Sequence, residues 1–292
     1  MFRGFITSPV STREVVIKVA HGGEGPPVLL LHGYPQTHVM WHRVAPALAE
    51  RFTVVCPDLR GYGDSEKPVG DEDHSAYSKR VMARDQVEVM HRLGFERFAV
   101  IGHDRGARVA LRLALDHPET VSHLAVLDIV PTKTIYETID QQNATTVWRY
   151  FFLIQPHDLP ERMIASDPVW YLRWTLDEWC GTPGALDERA VAEYERCFDD
   201  ATIHASCEDY RAGASIDLAH DRADAHRPVG CPILALWSRT GIGSAYDVAA
   251  IWRARSPRFH GQALDCGHFL AEERPDETIA ALLLFLADES GG

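Results

Sequence analysis

The sequence predicts an α/β fold, with a mostly parallel, doubly wound sheet that is interrupted by a helical insertion. Two observations support this prediction. Short, continuous apolar runs alternate with longer helical stretches over the first 130 residues, and the same alternation resumes near residue 232. Continuous apolar strands are typical of a parallel sheet that helices cover on both faces. The chain has 292 residues, of which 46% are hydrophobic, so it has enough apolar material for a large core.

The predicted elements follow one another in strand-then-helix order. The strands are the apolar runs at residues 27–31, 52–56, 98–101, 124–127 and 233–237, with residues 259–264 as a candidate last strand. Helical patterns span residues 41–50, 78–93, 105–117 and 279–286. The glycine-rich stretch at residues 22–25 predicts a hairpin turn before the first of these strands. This order is typical of a doubly wound sheet.

Residues 131–225 interrupt the alternation and contain no convincing strand run. Four of the seven tryptophans lie there, and prolines break the helical pattern at positions 156, 160, 168 and 183. We interpret the segment as a helical cap over a functional site. The alternative is a helical segment with a packing role only. The predicted boundaries are residues 1–135 and 226–292 for the core and 136–225 for the cap.

Charge and composition exclude several classes of function. The chain carries 29 Lys and Arg against 42 Asp and Glu, a formal charge of −13, whereas nucleic-acid binding needs clustered cations. No apolar run approaches the roughly 18 residues of a membrane span, and the N-terminus lacks a signal-peptide pattern. The six cysteines form no CxxC pair, and the histidines lack metal-binding spacing. We therefore expect a cytoplasmic protein with reduced thiols, no metal, no cofactor, and no nucleic-acid or membrane partner.

The pentapeptide Gly102-His103-Asp104-Arg105-Gly106 follows a predicted strand and begins a predicted helix. That context is typical of a nucleophile elbow, in which small flanking residues permit a tight turn that presents the middle side chain. The middle residue here is Asp104 rather than the usual Ser. Taken alone, the pentapeptide is also compatible with an ordinary helix N-terminus that carries a favourable acidic residue.

Three further signals favour the elbow. His32-Gly33-Tyr34-Pro35 follows the strand at residues 27–31, where an oxyanion-hole loop would lie. Asp128 ends the strand at residues 124–127, and His268 follows the candidate last strand. The resulting order of nucleophile, acid and histidine is that of the α/β-hydrolases. We favour Asp128 over an acid after the later strand, because residues 238–246 contain no carboxylate.

With these motifs the sequence resembles the aspartate-nucleophile branch of the α/β-hydrolase superfamily, and the resemblance spans nearly the whole chain. This branch includes haloalkane dehalogenases, haloacetate (fluoroacetate) dehalogenases and epoxide hydrolases. The string His103-Asp104-Arg105-Gly106-Ala107-Arg108 is most similar to the haloacetate dehalogenases. Epoxide hydrolases and haloalkane dehalogenases usually carry Trp where this chain has Arg105. The string at residues 207–212 also resembles the haloacetate dehalogenases.

The resemblance implies a role for each motif. Asp104 would attack a halogen-bearing carbon to form an alkyl ester, and His268, oriented by Asp128, would activate the water that hydrolyses it. The backbone N–H groups of Tyr34 and Arg105 are the expected oxyanion donors. Arg105 and Arg108, three residues apart on one helix, would hold the substrate carboxylate as they do in the haloacetate dehalogenases. Their alternative role is a structural ion pair.

The sequence departs from the family in the leaving-group pocket. Fluoroacetate dehalogenases carry a His-Trp pair before a Gln-Pro, and a later Tyr. Tyr210 matches the later Tyr, but Arg149 and Tyr150 stand where His-Trp is expected. Arg149 is expected either to donate to a halide or to turn outward into solvent. Tyr150 and Tyr210 are expected either to pack in the cap or to activate an epoxide oxygen as a pair of phenols.

The sequence therefore predicts a hydrolytic dehalogenase that acts on small 2-haloacids. The alternative prediction is an epoxide hydrolase with the same Asp nucleophile, in which Tyr150 and Tyr210 activate the epoxide oxygen. A protein that keeps the fold as a binding module is disfavoured by the intact Asp104, Asp128 and His268. A homodimer is expected from the resemblance alone.

Overall fold

The computed structural model describes residues 1–287, in which eight strands form one sheet in the order β1-β2-β4-β3-β5-β6-β7-β8. Strands β3 to β8 pair in parallel, and β1 and β2 are antiparallel to their neighbours. The mostly parallel sheet is thus confirmed. The strands are β1 (Ile6–Ser11), β2 (Val16–Gly22), β3 (Pro27–Leu31), β4 (Thr53–Pro57), β5 (Phe98–His103), β6 (Val121–Leu127), β7 (Ile233–Ser238) and β8 (Phe259–Leu264).

The first two strands are absent from the sequence prediction; β1 lies at the sheet edge and β2 lies between β1 and β4. Exposed and partly buried residues are interspersed along β1, so it lacks the continuous apolar run of a central strand. The predicted hairpin at residues 22–25 is wrong. Strands β2 and β3 both pair with β4, which lies between them, so the glycine-rich turn connects two strands that are not neighbours.

Helices cover the sheet as predicted. The longest in the core are α2 (Lys79–Arg92), α3 (Asp104–Asp116) and α15 (Pro275–Leu286). Residues 41–50 differ from the prediction, since a 3₁₀ helix (His38–Arg43) precedes the short α1 (Ala45–Leu48) where Pro46 lies in the first turn. The remaining short helices are α12 (Ile242–Ala245), α13 (Val248–Arg253) and α14 (Leu270–Glu273).

The chain between β6 and β7 is helical, as predicted, and we call it the helical insertion. Pro168 begins α8 and Pro160 lies in the first turn of α7, so these prolines start helices rather than interrupt them. The insertion contains α4 (Thr132–Glu137), α5 (Gln141–Thr146), α6 (Trp148–Leu153), α7 (Leu159–Ala165), α8 (Pro168–Trp179), α9 (Glu188–Cys197), α10 (Asp200–Ala214) and α11 (Ile216–Ala223). Within residues 1–287, every helix is too short or too polar to cross a bilayer.

Candidate active site

Asp104 lies in a tight turn between β5 and α3, and its φ of 44° is in the left-handed region. The flanking glycines are required by close packing. A Cβ on Gly102 would approach the Cα of Ala107 to 2.5 Å, and one on Gly106 would approach the carbonyl oxygen of His32 to 2.3 Å. The turn therefore has the strand–turn–helix geometry of a nucleophile elbow. The Asp104 side chain is nearly buried, with 4% of the residue exposed.

The loop after β3 reaches the Asp104 carboxylate. The backbone N–H of Tyr34 donates a hydrogen bond to Asp104 Oδ2 at 3.1 Å. Gly33 permits this approach, because a Cβ there would lie 2.6 Å from the Cβ of Asp104. One of the two predicted oxyanion donors thus points at the carboxylate, and the other, the N–H of Arg105, lies in the first turn of α3 beside it.

Asp128 and His268 form a hydrogen-bonded pair at the ends of β6 and β8. His268 Nδ1 lies 2.6 Å from Asp128 Oδ2, and the backbone N–H of Ser238, at the end of β7, donates to Asp128 Oδ1 at 2.7 Å. Asp128 also adopts a left-handed φ, of 55°. Because Nδ1 faces the carboxylate, Nε2 is the nitrogen left for chemistry, and it has no hydrogen-bond partner among the described residues.

Glu273, which sequence reasoning missed, clamps the loop that carries His268. Its carboxylate accepts hydrogen bonds from the backbone N–H groups of Gly267 at 2.8 Å, Phe269 at 3.0 Å and Gly181 at 2.9 Å. The N–H of His268 itself donates to the carbonyl oxygen of Trp179 at 2.8 Å. The end of α8 and the histidine loop are therefore held together. No local motif signals this contact, because Glu273 and Gly181 are far apart in sequence.

The charges of the site favour an ionised carboxylate. Burial raises the pKa of Asp104, but nearby positive charges, led by His268 and including Arg105 and Arg108, outweigh burial and leave the pKa below its ordinary value. Burial lowers the pKa of His268, but its hydrogen bond to Asp128 and the Asp128 charge outweigh that effect and raise the pKa. Burial lowers the pKa of the neighbouring His103 to about 3, so that ring is neutral.

A cavity of about 360 Å³ lies between the sheet ends and the helical insertion. Asp104, Asp128 and His268 line it from the core, together with Arg108. The lining residues from the insertion include the three predicted for the leaving-group pocket, Arg149, Tyr150 and Tyr210, and also Glu178 and Trp179. The structure thus brings the predicted triad and the predicted pocket to one cavity.

The two predicted carboxylate-binding arginines have different surroundings. Arg105 donates from Nε and Nη2 to the carboxylate of Asp209 at 2.9 and 2.8 Å, and its guanidinium lies 4.1 Å from the Tyr210 ring centre. Asp209 also forms an ion pair with Lys79. Arg105 thus has a buried carboxylate as its direct partner, and it is not among the residues that line the cavity. This differs from the expectation of two equivalent arginines.

Arg108 donates its hydrogen bonds to neutral groups. Nη1 donates to the Val130 carbonyl oxygen at 3.1 Å and to Thr132 Oγ1 at 2.9 Å, and Nη2 donates to the Tyr150 hydroxyl at 2.7 Å. Its Nε has no partner among the described residues, and its charge acts on the Asp104 carboxylate of the same cavity. With 5% of the residue exposed, Arg108 is a buried cation whose hydrogen-bond partners are all neutral.

Arg149 turns inward and is surrounded by tryptophans. Its guanidinium lies 4.6 Å from the Trp148 ring centre, 4.8 Å from that of Trp174 and 4.7 Å from that of Trp179. Nη1 pairs with Glu178 at 2.5 Å, while Nε and Nη2 are buried without a partner in the described chain. The expectation that Arg149 turns outward is therefore wrong, since only 2% of it is exposed.

Tyr150 and Tyr210 face one another beside Arg108. Their ring centres lie 5.3 Å apart at an interplanar angle of 80°. The Tyr210 hydroxyl is buried without a partner in residues 1–287, and burial raises the pKa of both phenols, so both remain protonated near neutral pH. The cavity therefore contains a carboxylate, a base held by an acid, and several donors that a small anion or an oxygen atom would satisfy.

Comparison with known proteins identifies the family. The sequence model of a family described as alpha/beta hydrolase fold matches residues 26–275. The chain belongs to this family. The hydrolase is 46% identical to a fluoroacetate dehalogenase of Burkholderia sp., across 100% of this chain and 97% of that protein. It is 35% identical to a soluble epoxide hydrolase of Corynebacterium sp. (strain C12), across 91% of each.

A solved structure agrees with the fold. A protein of Nostoc sp. PCC 7120 that has been assigned to the alpha/beta hydrolases superposes with a TM-score of 0.97 at 56% identity, and the match covers 99% of this chain and 100% of that one. The relatives thus include both a dehalogenase and an epoxide hydrolase, which are the predicted activity and its alternative in the sequence analysis.

Proposed function

We propose that this hydrolase cleaves the carbon–halogen bond of small 2-haloacids and releases a hydroxy acid and a halide. The observation that supports the proposal best is that the cavity of the Asp104 nucleophile also contains Arg108, a buried cation whose hydrogen-bond partners are all neutral. None of these hydrogen-bond partners is a carboxylate, and the Arg108 Nε has no partner among the described residues, so a substrate carboxylate would accept a charge-assisted hydrogen bond there. The similarity to a fluoroacetate dehalogenase is independent support.

In the first step, Asp104 displaces the halide. The oxygen Oδ2 accepts the Tyr34 N–H, so Oδ1 is free to attack the carbon that bears the halogen. The new bond joins Oδ1 to that carbon, and the carbon–halogen bond breaks with its electron pair leaving on the halide. Arg108 would hold the substrate carboxylate, since Arg105 pairs with Asp209 and does not line the cavity.

In the second step, water hydrolyses the Asp104 ester. His268 Nε2 takes a proton from water, and the hydroxide adds to the ester carbonyl carbon. The oxygen that becomes negative is the one held by the Tyr34 N–H, with the Arg105 N–H as the second donor. Collapse of this intermediate breaks the bond between the acyl carbon and the substrate oxygen. The imidazolium returns its proton to the hydroxy acid. Asp104 keeps one oxygen from water, and the second proton of that water leaves to solvent, which restores the carboxylate.

The leaving halide would be received by Arg149, Tyr210 and Tyr150. The unpartnered Nε and Nη2 of Arg149 and the hydroxyl of Tyr210 are donors at the cavity. A delocalised guanidinium among aromatic rings suits a large, weakly hydrated halide better than fluoride. We therefore expect chloroacetate and bromoacetate to be turned over faster than fluoroacetate.

A second candidate function is epoxide hydrolysis, which the Tyr150–Tyr210 pair favours. Both phenols line the cavity, and Arg108 donates to the Tyr150 oxygen, so the Tyr150 proton remains free for an epoxide oxygen. The similarity to a soluble epoxide hydrolase agrees with this arrangement. The nucleophile and the ester hydrolysis would be the same, but the buried charge of Arg108 would have no substrate partner.

The deciding experiment measures halide release from fluoro-, chloro- and bromoacetate beside diol formation from a panel of neutral epoxides. The proposal expects halide release, with kcat/KM for chloroacetate at least tenfold above that for any epoxide. Diol formation without halide release would overturn the proposal and support epoxide hydrolysis, the second candidate. Fluoroacetate turnover equal to that of chloroacetate would refute the assignment of Arg149 to a large halide.

The proposed substrates are small anions, so the partners that we propose are small molecules. Cytoplasmic location and a homodimer accompany the proposal as expectations from the resemblance. Light scattering on the purified protein measures the mass of the particle and decides between monomer and dimer.

A further inference from the structure

A second cluster of chemically active side chains lies in the helical insertion, separate from the cavity of Asp104. His157 precedes α7, Glu161 lies in the first turn of α7, and His204 lies on α10. One donor atom from each of the three lies within 4.8 Å of the other two. None of the three lines the active-site cavity.

The hydrogen bonds of His204 determine which of its two ring nitrogens carries the hydrogen. Nε2 lies 2.8 Å from the carbonyl oxygen of Val69, which can only accept, so Nε2 carries the hydrogen. In the neutral ring, Nδ1 then carries a lone pair and no hydrogen, and it lies 3.3 Å from Glu161 Oε1. Metal-binding histidines typically donate their other ring N–H to a backbone carbonyl in this way.

The distances suit a divalent ion. His157 Nδ1 also lies 3.3 Å from Glu161 Oε1. Two ligand atoms about 2.0 Å from a tetrahedral zinc ion are separated by about 3.3 Å. His204 Nδ1, with its ring hydrogen on Nε2, and Glu161 Oε1 are two acceptors 3.3 Å apart, and a metal ion that His157 Nδ1 also binds would satisfy both.

The surrounding charges allow such an ion. Arg211 holds the Glu161 carboxylate in a fork, from Nη1 to Oε1 at 2.7 Å and from Nη2 to Oε2 at 3.0 Å. Arg211 also donates to Glu208 at 2.9 Å, so its single charge is shared between two carboxylates. With neutral histidines the cluster keeps a net negative charge. Arg211 thereby orients the carboxylate and leaves its other lone pairs for a metal.

We propose that His157, Glu161 and His204 bind a divalent transition metal ion of the zinc type. Two imidazole nitrogens and one carboxylate oxygen are ligands that zinc prefers, with solvent in the remaining position. The ion would join α7 to α10 and, through Val69, to the loop after β4. Its role would be structural. This departs from the sequence expectation of no metal, because the ligands come from separate segments and form no contiguous motif.

The test is zinc titration of the full-length, tag-free protein by calorimetry, with unfolding temperature as a second measurement. We expect one zinc ion per chain, a rise of about 3 °C in unfolding temperature that EDTA reverses, and unchanged chloroacetate turnover. His157→Ala and His204→Ala should each weaken zinc binding at least tenfold. His157 is the safer variant, because its side chain is 66% exposed and its loss leaves no cavity in the core.

His91→Ala is the matched control. His91 lies 3.5 Å from Glu96, so it is also a histidine beside a carboxylate, but it belongs to no three-residue cluster in residues 1–287. Zinc binding that His91→Ala leaves intact and that His157→Ala and His204→Ala both weaken supports the proposal. An absence of zinc binding would overturn it, as would binding that survives in both cluster variants.

Discussion

The core and the helical insertion contribute to the cavity in different ways. The core provides Asp104, Asp128 and His268 from strand ends, where backbone geometry fixes each side chain. The insertion provides Arg149 and Tyr210, which are held by aromatic packing and by residues from other helices. On the proposed mechanism, the core therefore determines the type of reaction, and the insertion and the residues that face it select the substrate.

If this division is right, core variants should remove every activity. Asp104→Asn leaves a side chain of the same shape without the anionic oxygen that attacks carbon. We expect turnover of chloroacetate, and of any epoxide that is accepted, to fall by about 10⁴-fold or more. Steady-state kinetics with both substrate types measures this loss, and thermal unfolding checks the fold. Epoxide turnover that stays at the wild-type rate would contradict the division of roles between core and insertion, since the two activities would then use different nucleophiles.

Variants at the substrate-facing side should instead change which substrate is used. Arg108→Met removes the buried charge, and we expect kcat/KM for chloroacetate to fall by about 10²-fold, the value of a charge-assisted contact. Chloroacetamide, which is neutral and of nearly the same shape, should lose little. Arg108→Lys keeps the charge and is the matched control, with an intermediate loss. Equal losses for the acid and the amide would mean that Arg108 does not bind the carboxylate.

The sequence predicted the core part of the site because its signals are local. Gly102 and Gly106 surround Asp104 in five residues, and their spacing reflects contacts that a Cβ would block. The parallel strands were predicted from continuous apolar runs, and β8 was placed at its observed bounds. The edge strand β1 was missed, because a half-exposed strand lacks that signal.

The insertion part could not be predicted in the same way. Arg105 and Arg108 are alike in sequence, but Arg105 pairs with the distant Asp209, whereas Arg108 donates to Thr132 and Tyr150. The inward position of Arg149 depends on three tryptophans from two helices. Residue type and spacing do not encode such contacts, so the resemblance indicated the positions but not the surroundings.

Glu273 provides a test at the boundary between the two regions. Glu273→Gln places an N–H group where the carboxylate now accepts backbone N–H donors from Gly267 and Gly181. The histidine loop should loosen, and we expect kcat for ester hydrolysis to fall about tenfold while ester formation is unchanged, because Asp104 is held separately. Rapid-quench mass spectrometry separates the two steps. Glu277→Gln, a half-exposed carboxylate nearby, is the control and should change neither. Equal slowing of both steps would contradict this positioning role.

The smallest expected effect is a shift in pH dependence. His268 acts as a base when neutral, so kcat should fall as pH decreases through its pKa, which Asp128 holds above the ordinary value. Asp128→Asn removes that charge and leaves burial as the main influence, which lowers the pKa. The acid limb of the kcat profile should therefore move to lower pH, with a reduced plateau. An acid limb that stays in place would show that another group limits the rate.

The central claim is that Asp104 forms a covalent ester that water opens at the acyl carbon. A single turnover of chloroacetate in ¹⁸O-labelled water, with enzyme in excess, tests it directly, since peptide mass spectrometry locates the label. The account predicts one ¹⁸O atom in the peptide that contains Asp104 and none in the hydroxy acid released. Label in the hydroxy acid and none in that peptide would mean that water attacks the substrate carbon itself, and would contradict the account.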